Sequence, residues 1–245
     1  MADDSLPPLP EPVARTLDGF VIAAREALGS DLRAIVLFGS AAEGRLRPTS
    51  DLNVIVVLAA FDAARADALR EPLRLARAAA RLEAMFLLEA EVPAAVEAFA
   101  VKFADVLRRR RVLHGADPFA RLVLSREAQK TRLRQVLLNL TLRLRQRYLL
   151  RSGRDEQAAQ ALAEAAGPLR ACAATLLELE GETPPLPKEA LARVVASLPG
   201  DHAGVLAHLS EARERRPLPA GEAGPTLLRL SDLARAMRAR AEAVR

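Results

Sequence analysis

The tightest constraint on this chain is a spacing. Two apolar runs of seven residues, Leu32–Phe38 and Leu52–Leu58, are held apart by a short polar stretch with two glycines. Both runs are aliphatic and β-branched, too short for a core helix, and read as buried strands. The first ends in Phe38-Gly39-Ser40-Ala41-Ala42-Glu43-Gly44, and five residues later Ser50-Asp51-Leu52-Asn53 opens the second. A strand entering a Gly-Ser turn, a short helix and a loop back into the next strand is the simplest reading. Gly39 lets a phosphate approach the backbone, and Ser40 adds a hydroxyl where helix N–H groups point outward, a natural phosphate cradle. Asp51 and Asn53 lie two apart at a strand's start, so they share a face and are expected to share a cavity with the turn.

This arrangement resembles the DNA polymerase β-like nucleotidyltransferase superfamily, particularly its minimal, kanamycin-nucleotidyltransferase-like bacterial members. Their signature is Gly-Ser, a short helix ending in Gly, a spacer, and Ser-Asp-x-Asp; Gly39, Ser40, Gly44, Ser50 and Asp51 match it. Five such matches at fixed spacing arise by chance in roughly one chain in ten thousand, at ~7% per residue type. The resemblance covers about residues 12–115 and implies an α+β protein. A small mixed β-sheet nucleotidyltransferase domain at 1–115 would be followed by an all-α helical bundle at 116–245. It implies transfer of a nucleoside monophosphate from a nucleoside triphosphate to a hydroxyl on a small-molecule or protein acceptor. In the family three carboxylates hold two Mg²⁺ ions for that step.

Carried onto this chain residue by residue, the resemblance makes Asp51 the main metal ligand and Asn53 a neutral, weaker second one. Hard divalent cations prefer carboxylates, so the site loses a full charge at Asn53. The third acid is expected on a strand at Phe99–Val106, where Lys102 takes its place. A shifted register offers Asp105, although a regular strand turns Lys102 and Asp105 to opposite faces. Glu89 is a weaker substitute. Nucleotide binding is expected from Gly39, Ser40 and Ser50, with Arg45 and Arg47 in the following loop and Lys102 pairing with phosphate in place of a cation. Glu43, an acid beside the cradle, works against an anion. The resulting expectation is a nucleoside-triphosphate site with weakened or lost nucleotidyl transfer. The alternatives are a non-catalytic nucleotide-binding or regulatory, antitoxin-like assembly protein, or a basic-helix nucleic-acid binder.

Around this motif, residues 12–28 suit a helix with Pro12 at its start, and Asp62 can cap another running to about Arg81, broken or kinked at Pro72. Ala84–Leu88 reads as a third strand, and His114-Gly115 as a turn closing the domain. From Ser125 the periodicity becomes helical: one long helix to about Leu150, a second from Asp155 bending at Gly167-Pro168, then three shorter ones at roughly 188–198, 201–215 and 225–243. This half could also support a homo-oligomer.

Composition excludes several classes. Aromatic residues make up only 3% of the chain, with no Trp, which argues against base-stacking recognition of single strands. The single cysteine, Cys172, rules out an internal disulfide, and His114, His202 and His208 are too scattered for a metal cluster. No apolar run approaches the ~18–20 residues of a membrane span. The acidic start Met1–Ser5 is unlike a secretory signal, so a cytoplasmic protein is expected. The net charge of +5 is unevenly spread: Arg108–Arg151 holds thirteen Lys/Arg against Asp117 and Glu127. Nucleic acid is a possible but less favoured partner for this stripe than water, because charged helix faces are usually solvated.

Overall fold

A computed structural model describes residues 8–47, 49–199 and 202–244; Met1–Ser5 and Asp201 lie outside these. It is an α+β protein, with four strands and nine α-helices among the described residues. The chain forms two compact units with interleaved boundaries. The first comprises Met1–Leu46, Ser50–Val96 and Asp105–Val123, and the second Arg47–Thr49, Glu97–Ala104 and Leu124–Arg245.

In the first unit, β1 (Leu32–Phe38), β2 (Leu52–Leu58), β3 (Leu82–Leu88) and β4 (Arg110–Gly115) form one mixed sheet in the order β3-β2-β1-β4. β1 is antiparallel to both β2 and β4, while β2 and β3 run parallel and are joined through helix α2 (Ala63–Ala80). Leu17, Phe20, Ala24 and Leu28 of α1 (Glu11–Leu28) pack with Leu69 and Ala76 of α2 over one sheet face. Their partners there are Ile35, Leu37, Leu52, Val54, Val56 and Leu82. The intervening Val36, Ile55 and Val57 are also fully buried, so both faces of the central strands are covered. That is why these runs are continuously apolar rather than alternating.

Helix α2 starts where expected, with Asp62 Oδ1 accepting the Arg65 N–H at 2.9 Å, and it carries Pro72 in its interior. It ends without a glycine: Arg81 takes the left-handed conformation, with φ 53° and ψ 40°. The chain then enters β3 at Leu82, two residues before the expected start.

The strand expected at Phe99–Val106 is a helix. After α3 (Val92–Ala98), α4 runs from Ala100 to Arg108. The reason is periodicity: Ala100, Phe103, Ala104 and the flanking Leu107 recur at helical spacing, and the apparent alternation covers only the first few residues. Lys102 and Asp105, three apart on a helix, therefore do not take opposite faces. The fourth strand is instead the arginine-rich Arg110–Gly115, an edge strand whose charged residues disguise it.

The second unit is helical: α5 (Arg126–Arg151), α6 (Asp155–Leu179), α7 (Pro187–Ala196), α8 (Ala203–Arg213) and α9 (Ala223–Ala243). Ser125 caps α5. Leu133, Leu137, Leu140 and Leu144 form its buried stripe. Helix α6 is the axis of the bundle, buried along most of its length because its many alanines let neighbouring helices approach closely. It runs through Gly167-Pro168 as one helix with Pro168 in its interior. Cys172 lies fully inside it, and burial pushes its thiol up to about 12. No helix among the described residues is long and apolar enough to cross a membrane.

Gly115 closes β4 at φ 77°, and a Cβ there would stand 1.9 Å from the carbonyl oxygen of Arg33. Gly115→Ala therefore combines backbone strain with a clash against fixed main chain, and should cost at least about 3 kcal/mol. Gly153→Ala, which meets nothing within 4 Å, is the matched control. Urea unfolding of the two variants checks this; equal midpoints would contradict it.

Candidate functional site

One row of residues crosses the sheet of the first unit. Asn53 on β2 pairs with Phe38 on β1 and with Glu83 on β3, and Phe38 pairs with Arg110 on β4. Residues in register on adjacent strands point to one side, so Asn53 and Glu83 are direct neighbours. They lie on the face opposite α1 and α2, since Val54 and Leu82 face those helices. Asp51, two residues before Asn53, lies on the same side, and Gly39-Ser40 follows Phe38 directly. The sheet thus brings together Asp51, Asn53, the Gly-Ser turn and one acid that sequence reasoning missed, Glu83.

The turn is compact. Gly39 has φ 77°, and Gly39–Ala41 forms a single 3-10 turn rather than a longer helix. The Ala42 and Gly44 N–H groups close back onto Gly39 and Ala41 at 3.1 and 3.0 Å, and that of Arg45 onto Ser40 at 2.8 Å. Ser50, at the far end of the loop, is buried.

Behind the turn stands Arg109. Its carbonyl accepts the Gly39 N–H at 3.0 Å, and its guanidinium lies 4.0 Å from where a Gly39 Cβ would sit. Nη1 donates to Glu43 at 3.0 Å and Nη2 to Asp105 at 2.5 Å. Burial opposes the Arg109 charge, but the Asp105 hydrogen bond and the charges of Asp105 and Glu43 outweigh it and raise its pKa. Glu43 is therefore paired, sharing the Arg109 guanidinium with Asp105, and its carboxylate is turned to that brace. Asp105 faces Arg109, and its Oδ1 is buried without a hydrogen-bond partner.

The remaining expected residues are placed differently. Lys102, on α4, belongs to the second unit, and burial lowers its pKa. Arg45 is exposed in the first unit. Arg47 groups with the second, where its Nε lies 2.9 Å from Glu214. There Arg170, 7% exposed and with Nε lacking a partner, has its pKa lowered to about 10 by burial and by the nearby charges of Arg47 and Arg213, with Glu214 opposing. Glu89 follows β3 and pairs with Arg33 at 3.5 Å. His114 lines a shallow groove of about 450 Å³ with Ile22, Arg25, Glu26, Gly29 and Leu32. It is about 13 Å along β4 from Arg110. His202 Nε2 donates to the Pro199 carbonyl, and His208 hydrogen-bonds Thr226.

The acids of the row carry arginines. Arg81 Nε donates to Asp51 Oδ1 at 2.9 Å with Nη2 2.8 Å from the same oxygen, and Arg77 Nη2 lies 3.0 Å from Glu83. Asn53 Nδ2 donates to the Asp51 carbonyl at 3.2 Å. The donors do not fit a two-metal centre: one ligand position is an amide, and a guanidinium sits on each acid. No group of three or more His, Cys, Asp or Glu side chains among the described residues is arranged to hold a metal ion.

Arg109→Met would leave Glu43 and Asp105 without their shared cation in a site where all three side chains are at most 16% exposed. It should destabilise by about 3 kcal/mol, and the added changes Glu43→Gln and Asp105→Asn should recover at least about half of that. Chemical denaturation of the single and triple variants measures both; a loss that the triple variant fails to recover would mean packing, not charge, is at stake.

Neither protein-family models nor characterised protein sequences match the chain. Among solved structures it is similar to the spectinomycin adenyltransferase AAD(9) from Enterococcus faecialis, crystallised with ATP and spectinomycin. The TM-score is 0.65 and the identity 13%, and the match covers 91% of this chain and 99% of that one. The likeness is one of architecture: this chain shares the fold of that adenyltransferase.

Proposed function

We propose that this protein binds a nucleoside triphosphate at the Gly39-Ser40 turn and that its capacity for nucleotidyl transfer is weakened or lost. The observation that carries the reading is the cross-sheet row, which sets Asp51, Asn53 and Glu83 beside the Gly-Ser turn. The phosphate chain would lie over the turn, with Ser40 and Ser50 as hydroxyl donors and Arg45 as a loop cation. Glu83, rather than Lys102, Asp105 or Glu89, would be the third acid, since it is the one in register with Asn53. Support also comes from a neighbour in fold that was crystallised with ATP.

Transfer chemistry asks more than binding. Mg²⁺, where it acts, polarises the phosphate and lowers the acceptor's pKa. At this site Asn53 supplies no charge and Asp51 is shared with Arg81. A triphosphate held without productive activation of an acceptor suits a sensor or regulatory role, and any acceptor would be a small-molecule or protein hydroxyl.

The nucleic-acid reading is less well supported. Within the basic stripe, Arg109 and Arg110 serve Asp105, Glu43 and Asp117, Arg147 and Arg151 pair with Glu164, and Arg126 and Arg134 bind backbone carbonyls of their own unit. Much of that charge holds the fold together instead of facing a phosphate backbone.

Calorimetric titration with ATP, GTP, CTP and UTP tests the proposal. Wild-type protein should bind at least one of them. Gly39→Val, which adds a branched side chain at positive φ over the turn, should weaken that binding by at least about tenfold. Asn53→Asp should raise Mg²⁺ affinity, because it adds the charge a hard cation prefers. Absence of binding to all four triphosphates would refute the nucleotide reading.

A further inference from the structure

Asp51 and Glu83 are matched by two arginines at the end of one helix. Arg77 lies in the last turn of α2 and Arg81 is the left-handed residue that ends it, and their guanidiniums reach Glu83 and Asp51 respectively. Asp51 stands just before β2, and Glu83 lies on the adjacent β3 in register with Asn53. Two acids, two guanidiniums and one neutral amide leave this patch without net charge before any ligand or metal arrives.

The pairs are also open. Side-chain exposure is 52% for Arg81 and 67% for Arg77. Ion pairs this solvated contribute little to stability, so holding them is not what the fold requires of these residues. Arg81 directs Nε and Nη2 at one oxygen of Asp51, and Arg77 directs Nη2 at Glu83. A guanidinium has five N–H donors in a fixed fork, so each retains donors for a second oxyanion. Such forks match phosphate oxygens well.

Resting on the nucleotide reading above, we propose that Arg77 and Arg81 take the electrostatic place of the divalent cation, so that this site binds the triphosphate chain without Mg²⁺. The arginines bridge the acids of the sheet to the phosphate oxygens, as a metal ion would. Asn53 follows from the same arrangement: with fixed guanidiniums of one charge each instead of dications, a third carboxylate would leave the patch negative and repel the ligand.

The test is calorimetry with ATP on the full chain, in EDTA and in excess MgCl₂. Wild-type affinity in EDTA should be within about threefold of that in Mg²⁺, and Arg81→Met and Arg77→Met should each weaken binding in EDTA by at least about tenfold. Arg81→Lys, keeping the charge without the fork, should fall between. Because the pairs are solvated, the variants should unfold at the wild-type urea midpoint, so a binding loss is not a folding loss; two positions guard against one variant misfolding. Binding that requires Mg²⁺, or that Arg81→Met leaves intact or tightens, would overturn the cation-replacement proposal while leaving a nucleotide site in place. Failure of the wild type to bind ATP in either buffer would instead bring down the nucleotide reading, and this inference with it.

Discussion

The hydrogen bond from Gly39 N–H to the Arg109 carbonyl, together with the two ion pairs of the Arg109 side chain, fixes the geometry on which the rest of the site depends. Through its backbone Arg109 anchors the end of β1; through its side chain it ties the turn at Glu43 to α4 at Asp105. A charge so enclosed is tolerable only because both acids sit against it, and each acid is tolerable only because of the arginine. This mutual dependence makes the turn rigid. It also explains an oddity of the sequence, an acid placed beside a phosphate cradle: Glu43 is part of the brace and not of the ligand surface.

The parts of the fold legible in the sequence are those where burial and local propensity agree. β1 and β2 begin and end where their apolar runs do, because a short run this rich in aliphatic residues between turns suits a central strand. Helices α1, α2 and α5 announce themselves through Pro12, Asp62 and Ser125. The failures have equally physical causes. β4 is written in arginines, since an edge strand tolerates charge. α4 offers a short segment whose alternation and helical period overlap. Helix α2 ends at Arg81 as expected, but the single left-handed residue there lets β3 begin at once at Leu82, and the charged Glu83 at its start hid those first two residues. The register of a parallel pair, which sets Glu83 beside Asn53, is long-range information that no local pattern contains.

The helical unit shows the same logic on a larger scale. An Ala-rich helix such as α6 has little amphipathic signature, and its burial on nearly all sides is intelligible only once its neighbours are placed. Its one strongly polar buried residue, Arg170, stands among other arginines with only Glu214 nearby to offset them. Burial and like charge both weaken its hold on its proton. This cost is carried by packing elsewhere in the bundle, and it sits opposite in kind to the Arg109 brace, where two acids outnumber one cation.

Charge accounting separates this sheet row from the two-metal centre that the resemblance implies. There, three carboxylates would meet two dications, leaving a small positive excess to receive a polyanion. Here two carboxylates already meet two guanidiniums, and the second ligand position is an amide. Two dications added to this neutral patch would have to share its two carboxylates with the guanidiniums already on them, forcing the arginines outward into water. Adding the triphosphate alone needs only the unused donors of the two forks, together with the turn. On the proposed reading, Asn53 and the arginines at 77 and 81 belong together: a row with an amide in place of a carboxylate asks for less positive charge, and the two arginines at the end of α2 supply it.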